Sequence, residues 1–288
     1  MVFLIVFLVL CGVAFLAGVP LNSYVFFVAS FRVERTARTM WFWSRAVADL
    51  MFIIFLPLRF TSNFIPDFIP DSANEMSNTF TSFHMFFSAF LLMTLSVDHC
   101  ILVACPEWAR NHRTPRLTFK MVIGMWALSA GFSLRHGDLW EYVYSPSSIR
   151  MNFQLDDGKV KAAVAIQFLV GFLIPLVLIL IPTFYIILAA KLRRNRIQST
   201  KPLKILLGLI PTFFLCWLPY HVFSFLQISA TYPQTLLNTG STFACVLTYF
   251  SSCLNPIFYL TMEEEFLRYR QCVRNPQTTD NSGPEPAE

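Results

Sequence analysis

The side chains of this chain that could do chemistry are ionisable or amide groups inside long apolar stretches. Arg45 and Asp49 stand four residues apart, so they share one face wherever that stretch is helical. Asp98 and His99 end another apolar stretch, and Asn255 lies within the last one. Such groups are costly in an apolar medium unless they are paired or hydrated, which makes each a candidate for a binding site or a relay.

Catalysis finds no support in the other reactive side chains. The histidines are scattered, and no cluster of His, Cys and carboxylate residues has the spacing of a metal site. The sequence also lacks a glycine-rich phosphate loop. The chain is therefore predicted not to be an enzyme and to need no cofactor and no metal. The histidines are His84, His99, His112, His136 and His221.

The elements that carry these side chains are seven apolar stretches, each able to supply the ~20 residues of a membrane-crossing helix. The 288 residues are 55% hydrophobic and only 14% charged, with a mean hydropathy of +0.55, which excludes an ordinary soluble domain. The predicted fold class is all-α, a seven-transmembrane helix bundle with a short amphipathic eighth helix over 263–272. The predicted spans are 2–31, 40–64, 76–103, 117–135, 160–192, 203–229 and 234–262.

Cations are concentrated on one side of the predicted membrane. Of the 22 Lys and Arg residues, 16 lie in or beside the connections after spans one, three and five or in the C-terminal tail. The positive-inside rule then places the N-terminus outside and the C-terminus in the cytosol. A basic face beside membrane segments indicates anionic lipid and a cytosolic partner, and not nucleic acid. The cations are Arg32, Arg35, Arg38, Arg110, Arg113, Arg116, Lys120, Lys191, Arg193, Arg194, Arg196, Lys201, Lys204, Arg268, Arg270 and Arg274.

The two ends of the chain need separate interpretation. The first apolar stretch is read as a span, because the apolar core of a signal peptide covers only ~7–15 residues. Residues 1–274 are taken as one seven-transmembrane receptor domain, and 275–288 as a disordered cytoplasmic tail. In the predicted eighth helix, Phe266 and Leu267 should face inward. Cys272 is a candidate for palmitoylation, with an unmodified thiol as the alternative.

Short motifs recur in order along the predicted spans. They are Asn22, Asp49, Asp98-His99-Cys100, Trp126, Pro175, Trp217-x-Pro219 and Asn255-Pro256-x-x-Tyr259. In this set and order the chain resembles the rhodopsin-like (class A) G-protein-coupled receptors. One such motif is weak support, but seven in order at the right spacing are strong support.

Longer segments narrow the resemblance. Residues 106–114 look like the corresponding segment of chemoattractant receptors of the chemerin, formyl-peptide and anaphylatoxin type. Residues 171–176, 191–196, 200–204 and 213–221 look most like the chemerin receptor branch. The resemblance implies a plasma-membrane receptor for an extracellular peptide or lipid chemoattractant. It also implies a heterotrimeric G protein or arrestin, together with membrane lipids, as partners.

Other classes of membrane protein fit the sequence less well. A retinal photoreceptor needs a Schiff-base lysine in the last span, and no lysine follows Lys204. An amine receptor needs an acid in the third span, where none lies between Glu75 and Asp98. A small transporter or channel should show rings of inward charge or pseudo-repeated halves, and neither is found. A gene product that folds poorly is a third alternative.

Three positions depart from the family pattern. Asn74 stands where relatives have the third-span cysteine of an outer disulfide, and the loop 137–159 lacks the partner cysteine. His99 replaces the arginine that reaches into the G protein, and Thr183 replaces a tyrosine that supports the active state. Because histidine is shorter than arginine and mostly neutral at pH 7, two alternatives follow. The receptor either couples weakly, or is an atypical, scavenger-like receptor that does not signal.

The predicted activation switch joins polar residues of several spans. In relatives the residue at Asp49 lines a sodium pocket, and Arg45 could act there as a fixed counter-ion. The alternative is that Arg45 extends to the cytosolic interface. The pairing predicts ligand binding that is insensitive to sodium. The complete set is Arg45, Asp49, Ser88, Asp98, His99, Trp217, Pro219, Asn255, Pro256 and Tyr259, with Ser252 beside the sodium pocket.

The ligand site is predicted in the outer half of the bundle. Relatives hold an anionic ligand end with arginines high in spans four and five, where this chain has Trp140 and Gln167. Arg59 and Arg135 could bind a carboxylate instead, or both could reach headgroup phosphates. The rest of the predicted ligand-binding wall is Gln167, Trp217, Tyr220 and His221.

Overall fold

The computed structural model describes residues 2–64, 71–144, 157–192, 201–228 and 232–274, and within them the regular elements are all helical. A π-helical turn at Leu169–Leu173 joins the helices Asp157–Phe168 and Ile174–Leu192. The expected disordered tail, 275–288, lies outside the described residues. The helices are α1 (Val2–Phe31), α2 (Ala37–Ile54), α3 (Leu56–Phe64), α4 (Asp71–Ala104), α5 (Pro106–His112), α6 (Pro115–Tyr144), α7 (Asp157–Phe168), α8 (Ile174–Leu192), α9 (Lys201–Ile228), α10 (Gln234–Met262) and α11 (Glu264–Arg274).

Seven helical segments of the described chain are long and apolar enough to cross a membrane, which confirms the predicted seven-helix bundle. Their limits differ from the predicted ones by a few residues. Span two combines α2 with the start of α3, and span five combines α7, the π turn and α8. Spans one to seven are Ile5–Phe31, Ala37–Arg59, Met76–Ala104, Pro115–Leu134, Val160–Ala189, Lys204–Ile228 and Gln234–Met262.

The outer surface of the bundle is apolar. Ile181, Phe184 and Leu215 are 64%, 68% and 69% exposed, whereas Trp217 and Tyr249 in the interior are fully buried. Lipid tails are as apolar as these side chains, so burial in hydrocarbon makes such exposure favourable. The surface therefore fits a bilayer and not water.

Prolines interrupt two spans. Helix α2 ends at Ile54, because Pro57 has no N–H to donate to the carbonyl of Ile53. Pro175 has a related effect in span five, where the helix widens into the π turn Leu169–Leu173 just before it. Both interruptions re-aim the side chains that follow them.

The third span lies at the centre of the bundle, packed against spans two, four, five and six. Span seven packs against spans one, two and six. Gly18 permits the close approach of span one to its neighbours. A Cβ atom there would lie 2.6 Å from the side chain of Ile53 and 2.9 Å from the sulfur of Cys253.

The predicted eighth helix is confirmed as α11, which follows the end of span seven. Phe266 is fully buried and lies 6.2 Å, between ring centroids, from Phe42. Leu267 is half-buried, whereas Cys272 is exposed. One face of α11 thus packs on the bundle, while its opposite face carries charge.

Candidate functional site

The polar centre of the bundle is built around Asp49, which is fully buried. Arg45, one turn earlier on α2, donates from Nε to Oδ2 of Asp49 at 3.2 Å, as the four-residue spacing predicts. The amide of Asn255 in span seven donates to the same oxygen at 3.1 Å. Because Arg45 is only 5% exposed, it does not extend to the cytosolic interface, which was the alternative interpretation.

His84 of span three completes this centre, although it was not among the residues of the predicted switch. Its Nε2 lies 2.6 Å from Oδ1 of Asp49 and 3.1 Å from Oγ of Ser252. The sequence did contain an indication of this position, because His84 precedes Ser88 of the predicted switch by four residues and so shares its helix face. Ser88 itself is buried, and its hydroxyl has no hydrogen-bond partner among the described residues.

Little space remains beside the polar centre. A cavity of about 10 Å³ is bordered by Arg45, Asn255 and Tyr259, and this volume is close to that needed for one water molecule. The charge of Asp49 is already matched by the guanidinium of Arg45. The centre therefore has its counter-ion built into the chain.

Aromatic rings connect the polar centre to Tyr249 of span seven and Trp217 of span six. Phe52 stacks between His84 and Tyr249, with centroids 4.1 Å from each. The fully buried Trp217 of span six lies 5.9 Å from the His84 ring. A shift of Trp217 would therefore be transmitted directly to the polar centre.

Spans six and seven each contain a proline beside a member of the predicted switch. Pro219 follows Trp217 by two residues within α9, and Pro256 follows Asn255 directly within α10. Each proline removes one backbone hydrogen bond from its helix. The helices are thus weakened where the switch residues are located.

The predicted ligand residues of spans five and six come together. His221 lies against Phe168 and Phe172, with ring centroids 5.5 and 5.0 Å away, and Tyr220 adjoins it at 5.8 Å. Gln167 is buried, and its amide nitrogen lies 3.7 Å from the sulfur of Met85. These contacts form a mainly apolar wall with a few polar groups, which is typical of a ligand pocket.

Of the two predicted arginine anchors, Arg59 and Arg135, only Arg59 has its side chain among the described residues. Arg59 of span two is half-buried and donates from Nη1 to the side-chain oxygen of Asn78 in span three. It is therefore held within the protein and does not simply extend into a headgroup layer. The side chains of Arg135, Asn74 and Trp140 lie outside the described residues, as does most of the loop 137–159.

At the basic end of span three, Asp98 keeps an arginine partner even though its neighbour is His99. Arg113, just after α5, donates from Nε and Nη2 to the two carboxylate oxygens of Asp98, each at 2.7 Å. This two-point contact ties the connection between spans three and four to span three. His99 is 3% exposed, and neither ring nitrogen has a partner among the described residues.

Glu263, between α10 and α11, is a further buried acid, 2% exposed. Arg38 donates to it from Nη1 at 3.4 Å. Burial, together with the neighbouring Glu265, raises the pKa of the Glu263 carboxyl to about 8. One turn earlier, Tyr259 stacks on Phe42 with centroids 4.4 Å apart. These contacts join the end of span seven to the start of span two.

Seven membrane-crossing spans surround a buried acid and arginine, and prolines weaken spans six and seven. This arrangement defines a transmembrane receptor that can relay a change across the bilayer. A family profile described as 7 transmembrane receptor (rhodopsin family) matches residues 21–259 of the chain.

Several curated receptors are similar to this chain over most of its length. Chemerin-like receptor 1 of Homo sapiens is 32% identical over 276 residues, which cover 88% of this chain and 74% of that receptor. The C3a anaphylatoxin chemotactic receptor of Danio rerio is 33% identical over 268 residues, covering 91% and 73%. N-formyl peptide receptor 3 of Pongo pygmaeus is 30% identical over 281 residues, covering 88% and 79%.

The chain therefore belongs to the rhodopsin family of seven-transmembrane receptors, and within it to the chemoattractant group. It is a multi-pass cell-surface receptor of the plasma membrane and not an enzyme. An extracellular ligand and a G protein are the partners common to this family.

Proposed function

We propose that the protein binds a peptide chemoattractant, with its N-terminus outside the cell and its C-terminus in the cytosol. The names of similar receptors refer to chemerin, to the C3a anaphylatoxin and to an N-formyl peptide, which favours a ligand of this kind. The concentration of cations beside spans one, three and five supports the orientation.

The ligand enters between spans two, five and six in this proposal. The pocket wall consists of Gln167, Tyr220 and His221. Trp217 lies deeper in the bundle and changes position when a ligand is bound. Arg59 holds the acidic end of the ligand, because a carboxylate is a stronger acceptor for a guanidinium than the neutral Asn78 amide that now contacts it. Arg135 is a second candidate for the same role.

The proposed strength of G-protein coupling depends on the residues at the inner end of span three. The observation that carries it is the Asp98–Arg113 pair beside a buried His99 that has no partner among the described residues. A short, buried imidazole offers no fork of donors to a G protein, so coupling is weak. A receptor that takes up ligand without signalling is the second candidate, and the same observation favours it.

The test uses cells that express the tagged receptor, checked by surface staining. Chemerin-like and formylated peptides are screened for binding, nucleotide exchange on G protein and arrestin recruitment. We expect His99→Arg to raise ligand-driven exchange by roughly tenfold, which corresponds to one charge-assisted hydrogen bond.

The matched control is His112→Arg, which makes the same replacement at an exposed histidine stacked on Trp108. It should leave exchange unchanged. Strong exchange in the wild type would contradict weak coupling. Binding and internalisation without exchange or arrestin recruitment, in both the wild type and His99→Arg, would instead establish the uptake function.

A further inference from the structure

A groove separate from the ligand pocket lies between the ends of spans one, two and four on the basic face. Its volume is about 370 Å³, within the range of roughly 300–1,000 Å³ typical of sites for small molecules. The main apolar walls are Phe26 and Phe31 of span one, Met40 and Trp43 of span two, and Phe119 of span four.

Two polar features define the inside and the mouth of this groove. Inside, the indole N–H of Trp43 donates to Oγ of Ser30 at 3.0 Å, which leaves the Ser30 hydroxyl proton available to a ligand oxygen. At the mouth, Arg35 lines the groove with an exposed side chain and has no ion-pair partner among the described residues. An apolar interior with a cation at its mouth suits an amphiphilic anion.

The surroundings of the groove are both basic and lipid-facing. Arg32 and Lys120 are exposed and adjoin lining residues in the sequence. The acids nearby are the exposed Glu34 and the half-buried Glu265, which lies 3.5 Å from Oγ1 of Thr36. Phe31 is 71% exposed and Phe119 is 48% exposed. Side chains of this kind belong in hydrocarbon beside a headgroup layer, so the groove opens to the membrane and not to the aqueous phase.

We propose that this groove binds one anionic phospholipid, with an acyl chain against Phe26 and Trp43 and the phosphate at Arg35. The excess of cations at the mouth favours a charged headgroup over a sterol, which carries no charge. Assignment to the inner leaflet rests on the orientation given under the proposed function. The binding chemistry itself does not depend on that orientation.

The experiment measures lipid labelling of the purified full-length receptor in mixed detergent micelles, where both ends of the bundle are accessible. Photoactivatable phosphatidylserine, phosphatidylcholine and cholesterol are compared, and labelled sites are located by mass spectrometry. We expect phosphatidylserine to label residues 26–43 and 119 in preference to the other two lipids.

Two variants test the roles of charge and space. Arg35→Gln should reduce labelling by phosphatidylserine about fivefold, the effect of one cation on an anionic lipid, and should leave the phosphatidylcholine signal unchanged. Ser30→Phe should fill the groove and abolish labelling by both phospholipids. The matched control is Arg110→Gln, an exposed arginine on α5 that does not line the groove.

Each other outcome has a definite meaning. Equal labelling by phosphatidylcholine, preferential labelling by cholesterol, or no effect of Arg35→Gln would overturn the proposal. Preferential labelling by phosphatidylserine that persists in Ser30→Phe would do the same. If epitope mapping placed the C-terminus outside while labelling followed our expectation, the lipid site would stand and only the leaflet assignment would fail.

Discussion

The two acids of the transmembrane relay, Asp49 and Asp98, are held in different ways. Asp49 is fully buried and contacts Arg45, His84 and Asn255, which come from spans two, three and seven. Asp98 is held by Arg113 alone among the described side chains, and both partners keep some contact with solvent, 14% and 17% exposed. The first acid therefore joins the bundle together, whereas the second fastens a connection to its end.

This difference separates stability from switching. Removing one group from a dry, multiply bonded centre leaves its partners charged and unpaired, which costs far more than the pair is worth. A partly exposed pair can open with water replacing the partner, so its loss costs less stability. The Asp98–Arg113 pair is thus the better place for a reversible change, whereas the cluster around Asp49 is better suited to hold the bundle together.

The largest effect is expected from Asp49→Ala. Arg45 would then remain charged in a dry site, and the free energy of unfolding should fall by about 3–5 kcal/mol. The measurement is thermal unfolding in detergent together with surface expression.

The double variant Arg45→Met with Asp49→Leu is the matched control, because it removes both charges and keeps the volume. It should recover most of the lost stability. If the double variant were as unstable as Asp49→Ala, the unpaired charge would not be the cause.

A smaller effect is expected from Arg113→Ala, at about 1–2 kcal/mol, because the charge-assisted contact is partly exposed. Hydrogen exchange should rise in α5, which loses its anchor on span three. Arg110→Ala, an exposed neighbour on the same helix, is the control. A double-mutant cycle with Asp98→Asn that showed no coupling would contradict this account.

The third prediction concerns Glu263 and pH. Its folded-state pKa of about 8 lies above the ordinary value of 4.5. Between these two pH values the folded protein therefore keeps a proton that the unfolded chain has lost. The contribution to stability is complete below pH 4.5 and is lost as the pH rises through 8. Thermal unfolding should therefore shift to lower temperature across this window.

Glu263→Gln should flatten that pH dependence, because glutamine is neutral throughout. Glu107→Gln, an exposed acid on α5, is the control and should leave the slope as it is in the wild type. A wild-type stability that rose between pH 4.5 and 8 would contradict the assignment.

The smallest effect is expected from sodium. Because Arg45 already neutralises Asp49 and the neighbouring cavity holds about one water, replacing sodium with a bulky organic cation should change ligand affinity by less than about twofold. The double variant Arg45→Ser with His84→Asn, which removes both groups, should gain a sodium response. A clear sodium shift in the wild type would contradict the built-in counter-ion.

Local sequence periodicity accounted for much of this molecule. The spans follow from the length of the apolar stretches and the eighth helix from its amphipathic pattern. The Arg45–Asp49 pair follows from helical spacing, since side chains four residues apart share one face. The central role of His84 did not follow, because it depends on how span three faces span two. The partner of Asp98 was also missed, because Arg113 reaches it only when the chain turns back after α5.

By itself the sequence determined the membrane class, the number of crossings and the contact between Arg45 and Asp49, because these depend on hydropathy and on helical spacing. Only the tertiary structure decided which polar side chains of different elements contact one another: His84 with Asp49, Arg113 with Asp98, and Arg38 with Glu263. The physical reason is that such pairs join different elements, over separations of 15 to 225 residues. Electrostatic energy depends on distance in space, which helix packing sets and local pattern does not.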